Sequence, residues 1–179
     1  MKKAKHNIGL FIAGLLFMLI ANNVNAQMIA SGSNSNSSFF MCTVPGHPQA
    51  SGDNSSGQLG NGTTTASLSP VAATGVSNAV LVAAGGSHSC AMLSSGSLRC
   101  WGSNSSGQLG NATSTSSSTA VSTTGISSAI GLSAGSNHTC AVLSSGAVQC
   151  WGFNIYGQLG NGSTSTSSSG MRRSGLSEP

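Results

Sequence analysis

The chain has 179 residues, of which 4% are charged and 4% aromatic, with 25 glycines and a formal net charge of +4. Its only carboxylates, Asp53 and Glu178, leave little material for paired-carboxylate catalysis, and six basic residues are few for an electrostatic grip on nucleic acid. Its five cysteines admit two pairs and one left over.

Residues 1–26 read as an export signal. Lys2, Lys3 and Lys5 precede an uncharged apolar run over 8–21, and a cleavage site ends at Ala26 before Gln27. The apolar run is shorter than the roughly 20 residues a spanning helix needs, so cleavage is expected, with no stable membrane insertion afterwards. Cleavage removes three lysines and leaves Arg99, Arg172 and Arg173 against Asp53 and Glu178, a net +1. The basic balance therefore belongs to the signal, and no nucleic-acid partner is expected. The expected location, secreted or periplasmic, is one where disulfides form.

Residues 27–38 are rich in Ser and Asn, and the segment 27–50 reads as disordered or as a degenerate first hairpin. Fifty residues before Cys90, Cys100 and Trp101 stand Phe40, Ala50 and Ser51. Cys42 has no partner at the paired spacing and reads as a leftover thiol. His47, between Gly46 and Pro48, reads as a turn residue.

From Ser51 the chain repeats itself. The run HSCAMLSSGSLRCWGSNSSGQLGN over 88–111 returns as HTCAVLSSGAVQCWGFNIYGQLGN over 138–161, and a third copy survives as SGDNSSGQLGN over 51–61. A fixed period of this length points to a propeller, solenoid or array, here divided into a partial repeat 51–86, a repeat 87–136 and a partial repeat 137–179. Within each period, 79–84 and 129–134 are continuously apolar and bounded by glycine, as suits a strand buried on both faces. Residues 70–74 and 120–124 are weaker strand candidates. Residues 87–93 and 97–102 read as a hairpin whose turn, Ser94, Ser95 and Gly96, places Gly96 at the left-handed position. Centred on Ser95, that hairpin opposes Cys90 with Cys100, Met92 with Leu98 and Ala91 with Arg99. The same arithmetic opposes Cys140 with Cys150, within the reach of a disulfide. Four short strands per fifty residues give an all-β fold, a partial β-propeller of four-stranded blades, although a solenoid coil of this length is also allowed.

The pattern G-x-x-H-(S/T)-C-A-x-L-x-x-x-G-x-x-x-C-W-G-x-N-x-x-G-Q-L-G-N, as it stands in 85–111 and 135–161, resembles the repeat of the regulator of chromosome condensation family. The resemblance covers about 50–176 and implies a seven-bladed β-propeller, of which this chain would be a truncated portion. The paired cysteines resemble a variant of secreted bacterial members. The resemblance also implies that His88, Trp101, Gly102, Gly107, Gln108, Leu109 and Gly110, with His138, Trp151, Gly152, Gly157, Gln158, Leu159 and Gly160, are structural residues of the repeat.

Spacing also permits His88 with Cys90 and Cys100, and His138 with Cys140 and Cys150, as metal ligands. Export and the opposed register favour disulfides, and no metal or cofactor is expected. The Gly-Gln-Leu-Gly-Asn run lacks the Gly-Lys-(Ser/Thr) ending of a phosphate cradle, and reads as a tight turn that tucks Leu59, Leu109 or Leu159 inward. Trp101 and Trp151 read as packing between blades. No nucleophile elbow accompanies the serines, so no enzyme activity is expected.

The expected function is that of an exported, non-catalytic repeat module binding an unknown protein partner. Its Ser/Thr-rich inserts, 63–69 and 113–119, lie where loops carry recognition. The family resemblance also admits a guanine-nucleotide exchange factor for a small GTPase, or an inhibitor of an exported enzyme. Two complete repeats cannot close a seven-bladed ring alone, so identical chains associate to complete it, or the chain is a fragment or a gene remnant, with fragment favoured.

Overall fold

A computed structural model of the protein describes residues 29–31, 37–41 and 46–173. The expected export signal, 1–26, and Cys42 and Glu178 lie outside the described residues. Twelve strands form three antiparallel sheets of four, and among the described residues there is no helix, so none that could cross a membrane. The first sheet holds β1 (Ile29–Ser31), β2 (Ser37–Met41), β3 (Pro48–Gly52) and β4 (Ser67–Ala72). The second holds β5 (Ala79–Ala84), β6 (His88–Leu93), β7 (Leu98–Gly102) and β8 (Ser117–Ser122). The third holds β9 (Ala129–Ala134), β10 (His138–Leu143), β11 (Val148–Gly152) and β12 (Ser167–Arg172). Each sheet is a meander in chain order, a propeller blade. The second and third begin at the apolar run rather than at the motif, so the structural frame runs from 79 and 129, while the most recognisable residues lie in mid-blade.

The β6–β7 hairpin closes on the three-residue turn that Gly96 allows. Gly96 N–H donates to Leu93 O and Leu93 N–H to Ser97 O, both at 2.9 Å. The register follows from that turn: Cys90 opposes Cys100, Met92 opposes Leu98 and Ala91 opposes Arg99. Cys140 likewise opposes Cys150. Both pairs are disulfide-bonded, with Cα atoms 4.1 Å apart.

The first hairpin departs from the repeat by one residue. The fifty-residue offset puts Phe40 in the place of Cys90, but Ala50 pairs with Phe39 and Ser51 with Ser38. The segment 42–47, between the paired Met41 and Pro48, is one residue longer than 93–97, between the paired Met92 and Leu98, and this shifts β2 by one. Ser51 keeps the position that Trp101 holds in the second blade, since Ser89 pairs with Trp101.

The outer strands β4 and β8 start earlier than the apolar pattern suggests, at Ser67 and Ser117 rather than at 70 and 120. A bulge at Gly102 allows this: Cys100 pairs with Val121 but Gly102 with Ser117, so β8 carries two extra residues between those pairs. Gly102 has φ +100°, and a Cβ there would lie 2.6 Å from Ser87 O, so no other residue fits the bulge. The Ser/Thr-rich inserts therefore give up their final residues to strand pairing.

The apolar core is two slabs, one between each pair of neighbouring blades. Ala50, Leu59, Val76, Val82, Ala91 and Trp101 fill the first, whereas Cys90, Cys100, Leu109, Leu132, Ala141 and Trp151 are among those in the second. Strand alternation explains the division. Cys100 and Trp101 are adjacent on β7, so one faces the third blade and the other the first. Backbone hydrogen bonds stitch the blades further, from Ala79 N–H to Gly46 O and from Ala129 N–H to Gly96 O.

Burial separates the two disulfides. Cys90 and Cys100 are 1% and 0% exposed in the second slab, whereas Cys140 faces away from the second blade and is partly exposed. Graded reduction followed by alkylation and mass mapping is expected to open Cys140–Cys150 before Cys90–Cys100. The opposite order would show that the slab does not shield the inner pair. Replacing the inner pair, Cys90→Ala with Cys100→Ala, is expected to cost about 2–3 kcal/mol, from loop-closure entropy.

Candidate functional site

The repeated motif builds one structure three times: a loop on one blade and, where a further blade follows, a set of donors that clasp it. The loop is organised by an asparagine. In the second blade Asn104 is fully buried; its Oδ1 accepts from Leu109 N–H at 2.9 Å, while its Nδ2 donates to Thr113 O at 3.1 Å and Thr115 O at 3.0 Å. Asn54 and Asn154 repeat the arrangement with Leu59 and Leu159. The position needs an acceptor on one side and two donors on the other, which an amide supplies and a carboxylate does not. Its effect is to turn Leu59, Leu109 and Leu159 fully inward. These asparagines stand in the motif in all three copies, yet the sequence reading did not single out their chemistry.

The loop leaves one backbone carbonyl for the next blade to claim. Gln58 O accepts from Trp101 Nε1–H at 2.8 Å and from Ser89 Oγ–H at 2.9 Å. Gln108 O accepts from Trp151 Nε1–H and Thr139 Oγ1–H, both at 2.9 Å. The indole lies flat against the loop at Gly60 and Gly110, where a Cβ would stand 2.6 Å from Trp101 Nε1 or Trp151 Nε1. The glutamine side chains act within their own loops, Gln108 Oε1 accepting from Ser106 N–H at 2.9 Å. Of the residues read from sequence, Trp101, Gln108, Leu109 and Gly110 thus share the two interfaces, while Cys90 and Cys100 lie deeper in the slab.

His88 adds a third link. Its Nε2 lies 2.9 Å from Thr139 Oγ1, and the Thr139 hydroxyl hydrogen is committed to Gln108 O. The imidazole must therefore donate through Nε2–H, giving a one-way relay from His88 to Thr139 to the Gln108 carbonyl. Nδ1 is buried without a hydrogen-bond partner. Burial, with a smaller contribution from His138, lowers the His88 pKa from 6.5 to about 4, so the ring stays neutral at ordinary pH.

The third loop ends differently. Arg173, on the position that Thr123 holds one blade earlier, swings its guanidinium over Gly160, where Nε stands 2.6 Å from a Cβ built there. It fills the place that an indole occupies over Gly60 and Gly110. His138 is half-buried and its pKa is lowered by burial and then by Arg173. Beside Asn154 the loop carries Phe153, Ile155 and Tyr156; the Phe153 and Tyr156 rings meet edge-on, centroids 6.2 Å apart. Among the described residues no group of three or more His, Cys, Asp or Glu is placed to hold a metal ion; the four paired cysteines are in disulfides.

The shared acceptor can be tested directly. Because Gln58 O has two donors, Trp101→Phe and Ser89→Ala each leave it one. Each is expected to cost about 1 kcal/mol in urea unfolding, and the double variant more than the sum, since an unpaired buried carbonyl costs roughly 1–3 kcal/mol. Simple additivity would show that the two donors do not share the acceptor. The buried imidazole makes stability depend on pH. The His88 folded-state pKa lies below its unfolded value, so between about pH 6.5 and 4 the unfolded chain binds a proton that the native chain does not. Stability should fall as pH falls through that window, by about 3 kcal/mol in all. His88→Gln should lose this component, and equal pH profiles for the two proteins would rule out a neutral buried imidazole.

The regulator of chromosome condensation (RCC1) repeat matches residues 79–108 and 129–158 in one form, and 50–92 and 95–142 in another. No curated protein matches the chain in sequence. Among solved structures, human WBSCR16 superposes with a TM-score of 0.74 at 24% identity, covering 90% of this chain and 42% of that one. Prp20p from Saccharomyces cerevisiae gives 0.72 at 22% identity, covering 81% of this chain and 37% of that one. Yeast RCC1 (Prp20) bound to Kap60 gives 0.71 at 16% identity, covering 89% and 40%. The chain thus spans less than half the length of these proteins, and the likeness is one of fold. With its repeat sequence, its four-stranded blades and its clasped loops accounted for, the chain belongs to the regulator of chromosome condensation (RCC1) repeat family and forms part of a β-propeller.

Proposed function

We propose that the chain is an exported, non-catalytic module that binds another protein through the rim of its blades. The observation that carries this reading is the use of the motif's polar groups: Asn104, Gln108, Trp101, Ser89 and His88 bond within or between blades. Recognition then falls to residues outside the motif, and 62–66 and 112–116, at the start of the Ser/Thr-rich inserts, are exposed. The two disulfides are compatible with an extracellular location. Among proteins of like fold, Prp20p has binding properties toward Gsp1p and histones, and yeast RCC1 (Prp20) is bound to Kap60. These are protein partners of larger relatives and supply the kind of partner, without its identity. Self-association to complete a ring is the homotypic version of the same reading.

A photo-crosslinker placed at Thr65, Leu68 or Thr115 of the exported chain tests this. The same partner is expected from these rim positions and not from a crosslinker at Ser95, exposed in the β6–β7 turn at the other end of the blade; labelling independent of position would overturn the rim assignment. Accelerated nucleotide release from a small GTPase would replace the reading with exchange activity, and an N-terminus other than Gln27 on the exported protein would remove the assigned cleavage site.

A further inference from the structure

The three copies of the motif loop provide an internal control for what the fold requires. Between β3 and β4, and between β7 and β8, the positions flanking the buried asparagine are Asp53, Ser55 and Ser56, and Ser103, Ser105 and Ser106. In the third blade they are Phe153, Ile155 and Tyr156. The loop's scaffold is unchanged: Leu159 N–H donates to Asn154 Oδ1 at 2.9 Å, Tyr156 N–H donates to Gln158 Oε1 at 3.0 Å, and Gly157 N–H donates to Asn154 O at 2.8 Å. The apolar residues are therefore not needed to make the turn. Ile155 and Tyr156 also contribute little to the core, at 51% and 84% exposed, while Phe153 is partly buried. A polar tip that two copies keep has become a largely exposed apolar cluster in the third, an arrangement that costs solubility unless something covers it.

Charge indicates what that is. Arg173 lays its guanidinium on Gly160 of this same loop, from the position that Thr123 holds in the second blade. Among the described residues of this blade, 129–173, there is no carboxylate to neutralise it. Exposed Tyr with an arginine against the same loop is the composition of the residues that dominate binding energy at protein interfaces. We propose that the 153–160 loop, with Arg173 against its far end at Gly160, is a docking patch for a protein segment that presents an apolar side chain next to carboxylates. The apolar side chain packs on Phe153, Ile155 and Tyr156, and the carboxylates pair with the guanidinium. This rests on the reading of the chain as a protein-binding module, and adds to it a second surface and the chemistry of its partner.

The test uses random peptides displayed on phage and panned against the exported, oxidised chain, followed by affinity measurement with the selected peptides made synthetically. The expected selection is enriched in Leu, Ile or Phe flanked by Asp or Glu. Phe153→Ser, Ile155→Ser and Tyr156→Ser together, which write the second repeat's residues into the third loop, should fold normally and weaken binding at least tenfold. Arg173→Thr should weaken it several-fold and flatten its dependence on salt. Selected peptides that bind the triple variant as tightly as the parent would overturn the patch while leaving the module reading intact. Peptides lacking acidic residues and indifferent to Arg173→Thr would overturn the assigned partner chemistry. No enrichment on the parent over the triple variant would also overturn the patch, and the rim crosslinks would then decide the module reading separately.

Discussion

A backbone carbonyl buried between two sheets has to meet a donor, because leaving it bare costs more than most single contacts return. In this protein the carbonyls of Gln58 and Gln108 impose that demand at each junction between blades. An indole N–H and a hydroxyl from the following sheet satisfy them, and most other features of the motif can be traced to bringing these groups together. The buried asparagine aims the loop so that the carbonyl faces outward, and a glycine two residues on gives the indole room to lie flat. The disulfide ties the strand that carries the indole to the strand that carries the hydroxyl. Apolar area supplies the attraction between sheets, while the carbonyl fixes their relative position.

Much of this was legible in the sequence because it is local. The hairpin register is set by the turn at Gly96 and could be read by counting outward from it. The inward leucines and the packing role of Trp101 and Trp151 follow from an apolar residue recurring in an otherwise polar context. The roles of Asn104, Ser89 and Thr139 were not legible, because an amide or hydroxyl shows its purpose only when its partner is known, and for Ser89 and Thr139 that partner is on another blade. The early start of β4 and β8 was hidden for a different reason. Ser67 and Ser117 carry no apolar alternation, and they join the sheet only because bulges at Gly52 and Gly102 extend the pairing. The slip in the first hairpin came from one additional residue in a turn, which a fixed offset of fifty cannot detect.

The two motif histidines show how position in the array, more than residue type, decides chemistry. His88 has a blade on each side, so its ring is sealed, neutral and locked in one tautomer by Thr139. His138 occupies the same place on β10, yet it is only half-buried and has a guanidinium for company. The same contrast holds along β10, where Cys140 and Val142 are more exposed than Cys90 and Met92. Sequence identity between copies therefore overstates the likeness of their surroundings.

Each clasp splits its parts between copies, with the acceptor on one and both donors on the next. A tandem duplication of any stretch one period long, cut in any frame, carries one acceptor and one set of donors. Inserted into the array, it leaves every carbonyl matched without a second mutation. A symmetric contact, in which like groups met like, would gain no such freedom, because each new unit would need its own complement. The polarity of the clasp thus makes lengthening of the array nearly neutral, and the loss of one indole would be confined to a single junction.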